Sequence, residues 1–73
     1  MAALPVVSGR DAVKAFGRLG WAVTRQSSSH IIMGHPNHRA TLSIPDHDEV
    51  AKGTLGSLIR RAGLTVDEFV AAL

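Results

Sequence analysis

The side chains in this chain able to do chemistry are four histidines, eight lysines and arginines, and a short run of serines; cysteine is absent. His30 stands out first. It follows Ser27-Ser28-Ser29, and basic residues flank that stretch, Arg25 before it and Arg39 after it. An imidazole is the usual general acid or base near neutral pH, and a well-placed one contributes about 10²- to 10⁴-fold in rate. The adjacent Ser29 is not expected to form a nucleophilic pair with it, because neighbouring residues of a strand point to opposite faces. A Gly-x-Ser-x-Gly elbow is also missing, so serine-hydrolase chemistry is not expected.

The remaining histidines read differently. His35-Pro36-Asn37-His38 has turn composition, and His47 lies between Asp46 and Asp48. A His-x-x-His pair in a turn with one later ligand is poor zinc spacing, so turn and loop polarity is the expected role and no metal is assigned. Lys52-Gly53-Thr54 is no phosphate loop, since the Gly-x4-Gly-Lys order is missing. A lysine and small residues at a helix start still suit an anion, and an ordinary N-cap at Thr54 explains them equally well. Arg60 and Arg61 fall in a last helical turn, where cations oppose the dipole. Arg25 and Arg39, near strand ends, are the arginines expected to meet a ligand.

The elements that must position these residues follow from periodicity. Ser8 is a good N-cap, with Val13, Phe16 and Leu19 making a helical apolar stripe that Gly20 ends. Gly17 inside this helix costs on the order of 1 kcal/mol, and a close packing contact is one reason to keep it. Residues 21–26 alternate as a strand, 30–33 form a second and 40–44 a third that stops at Pro45. With a hairpin loop of His35 to His38, Gly34 faces Arg39 and Ile31 pairs with Leu42. Ile31, Met33, Leu42 and Ile44 then point inward, and His30, Ile32, Thr41 and Ser43 outward. Asp46 to Lys52 reads as a polar loop. Gly53-Thr54 opens a helix with a stripe of Leu55, Leu58, Ile59 and Ala62, closed by Gly63. Thr65 and Glu68 then form a capping box, with Leu64 stapled to Phe69. The order α-β-β-β-α-α gives an α+β fold: a three-stranded antiparallel sheet covered by helices on one face and open on the other.

Length and composition bound the rest. Seventy-three residues allow one small domain, 1–73. Without cysteine there are no disulfide staples, and a reducing, cytoplasmic setting is expected. No apolar run reaches the roughly eighteen residues of a membrane span, and the Met1–Val7 stretch lacks the basic leader and long apolar core of a signal peptide. The pI of about 10.0 reflects the absence of Tyr and Cys more than excess base, for the net charge is only +2. Attraction to a polyanion therefore depends on where the charges sit.

Taken together, four segments in order resemble the HicA family, toxins of bacterial type II toxin–antitoxin pairs. They are Leu19-Gly20-Trp21, Arg25-Gln26-Ser27-Ser28-Ser29-His30 (like the family's Gly-Ser-His element), His35-Pro36, and Lys52-Gly53-Thr54-Leu55; Pro45 and His47 also match a Pro-x-His loop. Ser28 stands where the family has glycine. The resemblance covers nearly the whole chain and implies a double-stranded-RNA-binding-domain-like fold. It further implies a metal-independent ribonuclease (mRNA interferase) needing no cofactor, with His30 as its essential histidine and a HicB-type antitoxin as the partner covering the site.

RNA carries its own nucleophile, the 2′-hydroxyl, so such a protein needs a proton acceptor, a donor and positive charge. The expected assignments are His30 as general base or acid, with Arg25, Ser29, Arg39, Lys52 and Thr54 against the RNA and His47 as a second proton carrier. The competing readings are a non-catalytic RNA-binding module of the same fold and an inactive domain that only binds its protein partner.

Overall fold

The computed structural model describes residues 3–73; Met1 and Ala2, the start of the stretch read for a leader, lie outside the described residues. The elements are α1 (Gly9–Arg18), β1 (Ala22–Gln26), β2 (His30–His35), β3 (His38–Pro45), α2 (Lys52–Arg61) and α3 (Val66–Ala71). The order is the expected α-β-β-β-α-α, with an antiparallel meander in which β2 is central. No helix among the described residues is long and apolar enough to cross a membrane.

Both ends of α1, the C-terminal end of α2 and the start of α3 follow their sequence signals closely. Ser8 Oγ accepts the Asp11 N–H at 3.0 Å and caps α1. At the far end Gly20 (φ 99°) closes the helix with bonds from Gly20 N–H to Gly17 O and Trp21 N–H to Phe16 O. The end of α2 repeats this at Gly63 (φ 73°), with Gly63 N–H on Arg60 O and Leu64 N–H on Ile59 O. Both are Schellman closures, whose left-handed residue glycine adopts without a Cβ penalty. Thr65 and Glu68 form the full reciprocal capping box of α3.

The helices bury one sheet face. Phe16 and Phe69 meet at 5.0 Å between ring centroids, over Met33, Leu42, Ile44, Leu55 and Ile59. Ile31, Met33, Leu42 and Ile44 are buried, while His30, Thr41 and Ser43 are exposed and Ile32 half-buried, so the two faces are as expected. The register between β2 and β3 is not: Ile31 pairs with Ile44 and Met33 with Leu42. Near the hairpin tip His35 does face His38, which leaves Pro36-Asn37 as the connection. Between these pairs β2 passes through Gly34 alone while β3 passes through Arg39, Ala40 and Thr41. A displacement of two residues is even, so every side chain keeps its face.

Three other expectations are corrected. All of β1 is exposed rather than alternately buried: it is an edge strand, and its register shifts between Val23 and Arg25. The loop before α2 is not wholly polar, since Val50 is buried and its N–H donates to Val7 O at 2.8 Å. A Cβ on Gly17 would meet nothing within 4 Å, so no packing contact explains that glycine.

Candidate active face

His30 opens β2 where the chain leaves the serine turn. Ser27 closes that turn twice over: its N–H donates to His30 O at 2.9 Å, and its Oγ accepts the His30 N–H at 3.1 Å. No non-glycine residue among those described has a positive φ, so Ser28 needs no left-handed backbone where the family has glycine. The far side of the turn is held by the start of the next loop, through Asp46 N–H to Ser29 O at 2.9 Å. That loop is in turn seated on α1. Gly9 N–H donates to His47 O at 2.9 Å, and a Cβ on Gly9 would collide with the Pro45 carbonyl. Pro45 is the residue paired with His30, so Gly9 sets the floor under the histidine from a distant part of the chain. A Ser-Gly at a helix start is the only signal the sequence offers for this.

The expectation that Ser29 and His30 point apart is wrong. Ser29 Oγ lies 3.0 Å from His30 Nδ1. Ser29 belongs to the bend before the strand, so strand alternation does not govern it. The contact engages Nδ1 and leaves Nε2 as the outward nitrogen of an exposed ring. A hydrogen bond at one imidazole nitrogen is what orients the other for proton transfer.

The other expected site residues divide into near and far. Arg25 pairs with Ile32 and so shares the open face with His30, one strand away. Arg39 sits in the displaced part of β3 beside the hairpin tip, roughly 15 Å from His30 by the rise along β2. Lys52 is the first residue of α2, whose N-cap is Ala51 with no side-chain bond and whose first turn has no acid. Thr54 is therefore not the N-cap; it lies inside the first turn and lines a groove of about 370 Å³ between β3 and α2. His47 is exposed on the loop two residues beyond Pro45, its backbone oxygen held by Gly9. Asp46 on the same loop is paired with Arg10 at 3.5 Å, which offsets a negative charge close to His30; a pair this exposed is worth less than about 1 kcal/mol to stability.

His35 and His38 are packed rather than poised. Their rings meet edge-on at 4.7 Å, and they lie 5.2 Å and 5.3 Å from the buried Trp21. His35 Nδ1 accepts the Asn37 N–H at 3.0 Å. Among the described residues no three His, Asp or Glu side chains are grouped to hold a metal ion.

Comparison with protein families finds a match over residues 9–64 to the model described as the HicA toxin of bacterial toxin–antitoxin systems. That span runs from the first residue of α1 to the Schellman closure of α2 and includes the whole sheet. No curated protein matches the chain.

Proposed function

The chain belongs to the HicA toxin family, and on that premise we propose that it acts as a single domain that cleaves messenger RNA without a metal, as the toxin of a type II pair. The observation that carries this is the exposed His30 ring, oriented through Nδ1 by Ser29 and free at Nε2. In the proposed reaction Nε2 takes the proton of a ribose 2′-hydroxyl as its oxygen attacks the adjacent phosphorus. The bond from phosphorus to the 5′-oxygen breaks, and that oxygen leaves with a proton supplied by His47. The products are a 2′,3′-cyclic phosphate and a 5′-hydroxyl. Arg25 on the same face and Lys52 at the open end of α2 supply positive charge for the phosphate, where charge develops in the transition state. Arg39, at the other end of the sheet, meets a phosphate further along the strand. Because the nucleophile is part of the substrate, the chemistry needs no metal-bound water.

The same open face suits a HicB-type antitoxin. A domain this small buries only about 60% of its chain surface and is marginal alone. An antitoxin seated over half-buried Ile32 would stabilise the fold while covering His30.

RNA cleavage after exhaustive chelation with EDTA tests the proposal. Full activity is expected, with 2′,3′-cyclic phosphate ends and no cut where a single 2′-deoxy nucleotide replaces the attacking ribose. Loss of cleavage on chelation, or cutting at the deoxy position, would contradict it. RNA binding with no product from any substrate would favour the non-catalytic module.

A further inference from the structure

The groove between β3 and α2 has a makeup of which the assignments above use only Thr54. Its walls are Thr41 and Ser43 on β3, and Thr54, Ser57, Leu58 and Arg61 on α2. Arg61 is pinned by one nitrogen: its Nε donates to the Thr41 carbonyl at 2.9 Å. Its two Nη groups hydrogen-bond to no other described residue, and the same holds for the hydroxyls of Thr41, Ser43 and Thr54. A guanidinium carries five N–H donors in a rigid fork that matches phosphate oxygens, and holding it by Nε removes much of the entropy cost of using the rest. The groove is continuous with the face that bears the histidine. Ser43 pairs with Ile32, and Ile32 is two residues along β2 from His30.

What the groove lacks is equally informative. The chain has one Trp, two Phe and no Tyr, and Trp21, Phe16 and Phe69 are all buried. The open face therefore offers no Trp, Phe or Tyr ring on which a base could stack, and the stacking surfaces left to it are the smaller planes of His30 and Arg25.

We infer that this groove binds the ribose-phosphate backbone of a single RNA strand next to the cleaved bond. Arg61 takes a phosphate, and the hydroxyls of Thr41, Ser43 and Thr54 take phosphate oxygens and a 2′-hydroxyl. This inference rests on the ribonuclease reading and deepens it by making recognition depend on the backbone more than on base identity.

Ser57→Glu is the test. Ser57 Oγ accepts a bond from Arg60 Nη2 at 3.3 Å. A Glu there can pair with Arg60 or with Arg61 four residues on, so the substitution should keep the fold while placing a carboxylate at the wall beside the Arg61 fork. Steady-state cleavage of a fluorescent RNA oligonucleotide should show KM raised about tenfold or more with kcat held within about twofold, the pattern of lost binding that is uniform along the reaction. Ser57→Gln, of like size and no charge, should change KM by less than about threefold. Binding of oligo-U and oligo-A to the His30→Ala protein should agree within a few-fold, and DNA of the same length should bind more weakly.

An unchanged KM in Ser57→Glu with cleavage intact would overturn the inference alone, as would equal losses for Glu and Gln. Loss of antitoxin binding without loss of RNA binding would make the groove a protein-docking site and overturn it too. A wild-type protein that neither cleaves nor binds RNA would overturn the ribonuclease reading and the inference with it.

Discussion

At its start β2 holds His30 on an exposed turn, touched through Nδ1 by Ser29; at its other end it holds His35, wedged among Trp21, His38 and the backbone of Gly20. The two side chains are chemically identical and belong to one strand. Their surroundings give them different work. The His35 ring spends its faces on aromatic contacts and its Nδ1 on the Asn37 N–H, so it serves the hairpin. His30 keeps its ring in solvent and one nitrogen uncommitted, so it is available to a substrate. Both rings bond through Nδ1, so exposure and packing, more than residue type, separate the histidine a substrate can reach from the one built into the hairpin.

Each end also depends on a glycine where no side chain fits, and the largest expected effects on stability lie there. Gly9→Ala places a methyl against the Pro45 carbonyl, a backbone atom that cannot turn aside. It should cost about 3 kcal/mol, read as a lower midpoint in urea unfolding, and should depress cleavage per folded molecule because the loop beside His30 must move. Gly20→Ala meets His35 Nε2 at 2.6 Å and also strains a φ of 99°. About 2 kcal/mol should be lost, again by urea unfolding, but cleavage per folded molecule should hold. If Gly20→Ala depressed specific activity as strongly as Gly9→Ala, the two ends would not be independent.

Ser29→Ala sharpens the comparison from the catalytic side. Losing one exposed hydrogen bond to His30 should lower kcat about threefold to tenfold, leave KM alone and barely shift the melting temperature; Ser29→Thr should restore most of the loss. Gly17→Ala touches neither end. It should stabilise by about 0.5–1 kcal/mol in thermal melts with unchanged cleavage, because the position is open and helical.

Much of this arrangement is legible in the sequence, and the failures have a common form. Caps are local, so Ser8, Gly20, Gly63 and the Thr65–Glu68 box are readable from spacing alone. The inward and outward sets of β2 and β3 follow from alternation, which an even displacement of register leaves intact; the pairing of Ile31 with Ile44 is not readable for the same reason. The exposure of β1 depends on its being an edge, which is a property of the assembled sheet. The contact between Ser29 and His30 is hidden because strand alternation does not reach a bend residue one position before the strand. Gly9, the pinned Arg61 and the true start of α2 at Lys52 all involve partners distant in the chain or a cap with no side chain to reveal it. Local chemistry is written in the sequence, and the contacts that assemble the face around His30 are mostly not.

The most direct test sets His30→Ala beside His35→Ala in one experiment, measuring metal-free RNA cleavage and thermal stability for both. His30→Ala should lose about 10²- to 10⁴-fold in cleavage rate with a melting temperature close to wild type. His35→Ala should melt earlier and retain cleavage per folded molecule. Equal cleavage by wild type and His30→Ala, or the larger rate loss in His35→Ala, would contradict the assignment of His30 as the reactive histidine.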